Sequence, residues 1–320
     1  MVGGWRRIAG VASTRTVVAV DVGGTETKAA LVSGRPAAAV PLAEHRRPTP
    51  RRADSGTTVA AVVDLVLYLV EELRREGGRE VEAVGVVVPG VVDEERGVGV
   101  YSANLGWRDA PFAELLTART GLPTAFGHDV RAGGLAELRL GAARGHRDAL
   151  IMPIGTGIAA AIVVGGRVHS AGGYAGELGH IDIGHGEPCG CGQRGCLERV
   201  ASSAAIARRY TRRSGREVRG AVDVAEAVRA GDQDAVAVWE EAVTALGKAL
   251  VLACTILGPE VVVLGGGLAL ARELLTEPLG RRLNELMTFQ RPPELRLAEL
   301  GDGAGRLGAA LLALDLLEAR

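Results

Sequence analysis

Three of the four cysteines fall within eight positions, Cys189, Cys191 and Cys196, on a stretch broken by Gly190, Gly192 and Gly195. Thiolates joined by an imidazole are the usual ligand set of structural zinc, and His180 and His185 lie just upstream. Glycines let the backbone fold tightly enough to aim several sulfurs at one point. Three clustered cysteines cannot pair completely among themselves, and no Cys-x-x-Cys stands in a thioredoxin-like context. The alternative is a set of unligated buried thiols, which favour apolar runs such as the one around Cys254. A metal-tethered loop is therefore predicted.

Carboxylates surround that loop. Glu177 stands three residues before His180, and Glu198 two residues after Cys196. A rigid loop bearing two carboxylates suits a site that orients polyol hydroxyls. Asp129 lies between a strand-like segment, residues 123–126, and a helical pattern running to Leu140. A carboxylate at a strand's C-terminal edge is where open α/β sheets bind ligands, but Asp is equally a common helix N-cap. Asn104 occupies a polar loop, residues 102–107.

Three glycine-rich turns each follow an apolar run: Gly23-Gly24-Thr25, Gly155-Thr156-Gly157 and Gly265-Gly266-Gly267. Backbone N–H groups exposed where side chains are absent make anion sites, and a Thr hydroxyl adds a donor. Three such turns point to a nucleotide phosphate held between lobes. No Gly-x-x-x-x-Gly-Lys-Ser/Thr occurs, which excludes a P-loop, and no Gly-x-Gly-x-x-Gly opens a helix as a Rossmann site requires. Lys28, one of two lysines among 37 basic residues, is either an exposed strand end or a phosphate contact.

These residues need elements to carry them. Residues 16–21 and 27–32 read as strands joined through the first glycine turn, a hairpin. The Pro- and Arg-rich stretch 34–52 reads as an exposed connection. Val59, Val62, Val66, Leu69 and Leu73 have helical spacing, ended by Gly77-Gly78. Residues 81–88 form a continuous apolar run before Pro89-Gly90, the mark of a buried parallel strand. A short helix over 111–120 stops at Gly121. The stretch from Gly24 to Val32 aligns with Gly155 to Val163: Gly-Thr, three variable positions, then Ala-Ala-aliphatic-Val. That similarity indicates two related lobes. Further helices are expected from Glu198, a long one over 232–258, a buried strand over 260–264, and a closing amphipathic helix over 303–318. The order defines an α/β class.

Composition narrows the function. The 320 residues carry a net charge of −1 and are 47% hydrophobic, enough for a large core and too neutral for a nucleic-acid or membrane footprint. Apolar stretches end well short of the ~20 residues a bilayer span needs. The first 15 residues lack a signal-peptide apolar region, so a cytoplasmic location is expected.

The stretch from Glu177-Leu178-Gly179-His180 to Cys189-Gly190-Cys191-Gly192-Gln193-Arg194-Gly195-Cys196-Leu197-Glu198 resembles the signature of the ROK family (repressors, open reading frames, kinases). The similarity extends through residues 21–28, Pro89-Gly90-Val91-Val92-Asp93, Asn104-Leu105-Gly106-Trp107, Asp129 and the second and third glycine turns, nearly the whole chain. It implies an actin/hexokinase-like, ribonuclease H-type α/β fold: a duplicated two-lobe structure with a cleft between the lobes. The expected division is an extension over 1–15, a small lobe over 16–128 completed by the helix 303–320, and a large lobe over 129–302 holding the zinc loop. The implied activity is ATP-dependent phosphorylation of a hexose, most often glucose, with Mg²⁺ accompanying the nucleotide. Asp129 would be the catalytic base, and Asn104, His128, Glu177, His180 and Glu198 would contact the sugar. Asp21, Gly23, Gly24, Thr25, Lys28 and the other two glycine turns would hold the nucleotide. Zinc would be held by His180, Cys189, Cys191 and Cys196, with His185 a spectator. A homodimer or homotetramer is expected.

Two positions depart from the family pattern: His128 replaces the usual Asn before the base, and Glu26 stands where a basic residue is frequent. The same family contains sugar-responsive repressors. With the first strand starting near Thr16, the sequence leaves no room ahead of it for a helix-turn-helix, so a kinase is expected over a regulator. An actin-like ATPase without a small-molecule acceptor would not account for Glu177, His180 and Glu198.

Overall fold

The computed structural model describes residues 14–51 and 54–320. The expected extension 1–15 and the end of the 34–52 connection thus fall largely outside the described residues. The chain opens with β1 (Arg15–Val22), β2 (Glu26–Arg35) and β3 (Ala38–Pro48), followed by α1 (Ser55–Gly77). It continues through β4 (Ala83–Val88), β5 (Val91–Asp93), β6 (Val98–Tyr101), β7 (Arg108–Ala110), α2 (Phe112–Thr120), β8 (Thr124–His128) and α3 (Asp129–Leu140). The second half begins with β9 (Ala149–Pro153), β10 (Ala161–Val164) and β11 (Arg167–His169), then α4 (Glu198–Ala201), α5 (Ser203–Ser214), α6 (Ala221–Arg229) and α7 (Gln233–Leu257). It closes with β12 (Val261–Gly265), α8 (Glu273–Leu286), β13 (Glu294–Leu297) and α9 (Ala304–Glu318).

Two five-stranded sheets have the same topology. The first runs β3-β2-β1-β4-β8 and the second β11-β10-β9-β12-β13. In each, the opening hairpins pair antiparallel and the last two strands join in parallel. The sequence similarity between the two halves is therefore matched strand by strand. β5, β6 and β7 form a small separate sheet after β4.

Side-chain alternation places a core on each side of each sheet. Val18, Val20 and Val22 of β1 face α1, while Val17 and Ala19 face Ala309, Ala310 and Ala313 of α9. Leu150, Met152, Val262 and Leu264 face the helices α4 to α8, while Ile151, Val261 and Val263 share a cluster with Leu138 of α3. The two crossing helices α3 and α9 therefore lie between the sheets. They approach so closely that a β-carbon on Gly308 would stand 2.0 Å from the carbonyl oxygen of Ala132. α9 consequently buries Gly308, Ala309, Ala310, Leu311, Ala313 and Leu314, rather than the single stripe of an amphipathic surface helix.

One segment corrects the sequence reading. Residues 38–48 form β3, an edge strand on β2, rather than an exposed connection. Its bonds are made by the backbone, its apolar Val40 and Leu42 face solvent, and its Pro41 and Pro48 suit an edge. The pairing shifts register beside Val32 and Pro41. No helix among the described residues is long and apolar enough to cross a membrane.

Candidate active site

Asp129 is the first residue of α3, at the C-terminal end of the parallel strand β8. The cap position belongs to His128, whose Nδ1 accepts from the Arg131 amide at 3.4 Å. Asp129 is thus free of the capping role open to it by position. Its Oδ1 accepts the Val130 amide at 2.7 Å and lies 3.3 Å from His128 Nε2. Burial pushes the Asp129 carboxyl up to about 6, aided by the nearby charge of Glu177 and opposed by Val130 and Arg131. Burial and Arg131 drive His128 down to about 3, so its ring is neutral. At 6% exposure His128 is a buried residue.

A cavity of 460 Å³ joins Asp129 to Asp21, Lys28, Gly265, Gly266, Gly267 and Asp302. Asp21 is the penultimate residue of β1, and burial together with the charge of Asp129 raises its carboxyl to about 7. Lys28 on β2 forms an ion pair with Asp302, which Arg46 also contacts at 2.7 Å. Arg46 faces Lys28 across β2 and β3 and pairs with Glu26 at 3.0 Å. The carboxylate at the family's usual basic position is thereby neutralised from the next strand.

The other two glycine turns are not walls of that cavity. Gly23, Gly24 and Thr25 close the β1–β2 hairpin, where Thr49 Oγ1 donates to Gly23 O at 2.7 Å and Arg51 holds Gly24 O at 2.6 Å. Gly155, Thr156 and Gly157 precede β10 and are tied to the third turn: Ile154 N donates to Gly265 O at 2.9 Å and Leu268 N to Ile154 O at 3.1 Å.

The cysteine loop gathers its ligands. Side-chain donor atoms of His180, Cys189, Cys191 and Cys196 all lie within 4.8 Å of one another. Cys191 Sγ is 3.6 Å from Cys196 Sγ, and Cys189 Sγ is 3.8 Å from His180 Nδ1. Tetrahedral zinc with ~2.3 Å bonds to sulfur separates its ligands by about 3.8 Å, so this donor set fits the ion. His185 is turned elsewhere, its Nε2 donating to Cys196 O at 3.0 Å while Nδ1 accepts from Glu187 N at 3.1 Å. With Nδ1 facing the thiolates, His180 presents Nε2 to Glu177 at 4.0 Å. Glu198 reaches the same cluster, its Oε1 3.7 Å from Cys189 Sγ. Asn104 sits exposed in its turn, and among the described residues no side-chain hydrogen bond joins it to the other candidates.

Sequence reasoning missed Asp302, Gly305 and Arg131. A helix opening with Gly305 and Gly308 was the readable sign of a close crossing; nothing local marked the other two.

Duplicated sheets packed on two crossing helices, with acidic residues and a glycine turn around the cleft, define an actin/hexokinase-like α/β protein. The chain belongs to the ROK family, whose family model matches residues 17–316. The glucokinase of Halalkalibacterium halodurans is 31% identical over 318 residues, which cover 94% of this chain and 95% of that protein. The ROK hexokinase from Thermus thermophilus superposes with a TM-score of 0.78 at 35% identity, covering 95% of this chain and all (100%) of its own. A ROK family glucokinase from Streptomyces griseus, solved with glucose and AMPPNP, has a TM-score of 0.78 at 30% identity, with coverage of 94% and 99%.

Proposed function

We propose that the protein is a hexose kinase that transfers the γ-phosphoryl group of ATP to glucose, forming glucose 6-phosphate. The observation that carries this reading is the single cleft cavity holding Asp129 together with Asp21, Lys28 and the third glycine turn. The glucokinase relatives support glucose as acceptor.

Phosphoryl transfer asks a protein for position and charge rather than covalent chemistry. In this reading Asp129 accepts the proton of the attacking sugar hydroxyl, and a carboxyl near pH 6 is ionised yet basic enough at neutral pH. Glu177, His180 and Glu198 hold the sugar hydroxyls, with Asn104 and His128 as further contacts. Lys28, Thr25, Thr156 and the glycine amides hold the phosphates. Mg²⁺ arriving with the nucleotide suits an oxygen donor such as Asp21 and would neutralise phosphate charge. His180, Cys189, Cys191 and Cys196 would hold a zinc ion with no open position, so the ion would supply structure rather than chemistry. Bound there, it would keep His180 Nδ1 occupied, and His180 Nε2 faces Glu177 at 4.0 Å. A cytoplasmic homo-oligomer acting without nucleic acid is the setting we infer.

The test is an ADP-release assay with ATP across glucose, mannose, fructose and the N-acetylhexosamines. Glucose should give the highest kcat/KM. Preference for another sugar would redirect the acceptor assignment, and no turnover with any would remove the kinase reading.

A further inference from the structure

Arg131 follows Asp129 by two residues, is 2% exposed, and has no part in the chemistry above. Each of its three guanidinium nitrogens nevertheless donates a hydrogen bond. Nε donates to Glu94 Oε1 at 2.9 Å, one terminal nitrogen to Val92 O at 3.0 Å, and the other to Gly173 O at 3.3 Å. The same Glu94 oxygen accepts the His128 amide at 3.3 Å.

These partners come from both sides of the sugar-facing half of the cleft. Val92 lies in β5, part of the small sheet that follows β4. Gly173 ends the short turn Ala171–Gly173, from which the chain runs directly to Glu177 and His180. Gly173 has φ +99°, and a β-carbon there would stand 2.4 Å from Val92 O. The two backbones therefore touch, with the arginine fork bonded to a carbonyl on each.

We propose that Arg131 is a positioning residue for the acceptor: it clasps Val92, Glu94 and Gly173 to the first turn of α3 and so sets the spacing between Asp129 and the Glu177–His180 loop. The proposal rests on the hexose-kinase reading. The three bonds leave from three different nitrogens of one rigid plane; a lysine ammonium has three donors too, but on a single atom, so it carries the charge without spanning the same three acceptors. Because Arg131 shares a helical turn with Asp129, slack in the clasp moves the base relative to the hydroxyl it must meet. Misplacement by ~1 Å costs on the order of 10²-fold in rate. The clasp's hydrogen bonds run to Glu94, Val92, Gly173 and the His128 amide, and none to the nucleotide-side groups Asp21, Lys28 or Gly265–Gly267, which predicts an effect on one substrate only.

Arg131→Lys and Glu94→Gln in the full-length protein test this, the second being the milder change should the first fail to fold. Kinetics with glucose and ATP are read beside calorimetric titrations with glucose and with ADP, and beside Tm. For Arg131→Lys, glucose KM should rise and kcat fall by about tenfold each or more, while the Kd for ADP stays within about twofold. Glu94→Gln should move the same quantities in the same direction by a smaller factor. Folded variants with unchanged glucose parameters, or with glucose and ADP weakened equally alongside a lower Tm, would overturn the proposal and leave Arg131 a stability residue. Wild-type protein that turns over no sugar would instead overturn the kinase reading itself.

Discussion

The carboxylate of Asp21, next to the last residue of β1, rests against Gly305 in the first turn of α9: a β-carbon on Gly305 would stand 2.4 Å from Asp21 Oδ2. The contact joins the beginning and the end of the chain on the wall of one cavity. Gly305→Ala should therefore displace the Asp21 carboxylate. ATP KM is expected to rise by about tenfold, with glucose KM changed far less, in steady-state kinetics. Equal ATP KM values for variant and wild type would show that Asp21 has no donor-side role.

Asp129→Asn tests the base directly. The amide keeps the shape and the helix start but cannot accept a proton, so kcat should fall by about 10²–10⁴-fold. Glucose titration should still show binding. Near-normal turnover would remove the assignment.

The pH dependence has a defined sign. With Asp129 at about 6, kcat/KM should fall roughly tenfold per unit as pH drops below that value, because the base becomes protonated. Stability moves the opposite way. Asp21 and Asp129 have folded values of about 7 and about 6, both above the ordinary 3.8, so the folded state binds more protons across that window. The stability they contribute is full below about pH 4 and is lost as pH rises through 6 to 7. Asp21→Asn abolishes its share of the loss. Its gain in Tm over wild type should be larger at pH 8 than at pH 4, and an equal gain at both would contradict the raised value.

Metal removal should separate sugar from nucleotide. Cys191 is an exposed member of the His180, Cys189, Cys191, Cys196 cluster, so Cys191→Ser removes a ligand with little loss of packing. Elemental analysis should find zinc at one per chain in the wild type and much less in the variant. Glucose affinity should fall by at least about tenfold, ADP affinity by much less, and the far-UV spectrum should persist, because each lobe has its own core. A zinc-free wild type that phosphorylates glucose normally would refute the structural role of the metal.

What the sequence determined by itself was whatever local pattern controls. The continuous apolar runs over 83–88 and 261–264 read as strands covered on both faces, and they are the parallel neighbours of β1 and β9. Cys189, Cys191 and Cys196 lie close along the chain with glycines between them, so their convergence needed no distant partner. The duplication was legible because Gly-Thr and the following Ala-Ala-aliphatic-Val fill equivalent hairpins in the two lobes. Tertiary structure decided the rest, for one physical reason: a contact between residues far apart in the chain leaves no period in either segment. The strand β3 is held by backbone bonds to β2, to which its polar side chains are indifferent. The cap of α3 fell to His128 once β8 delivered it to the helix start. Lys28 meets Asp302 only because α9 returns between the sheets, and Arg131 finds Val92 and Gly173 only where the small sheet and the segment leading to Glu177 come together on one helical turn.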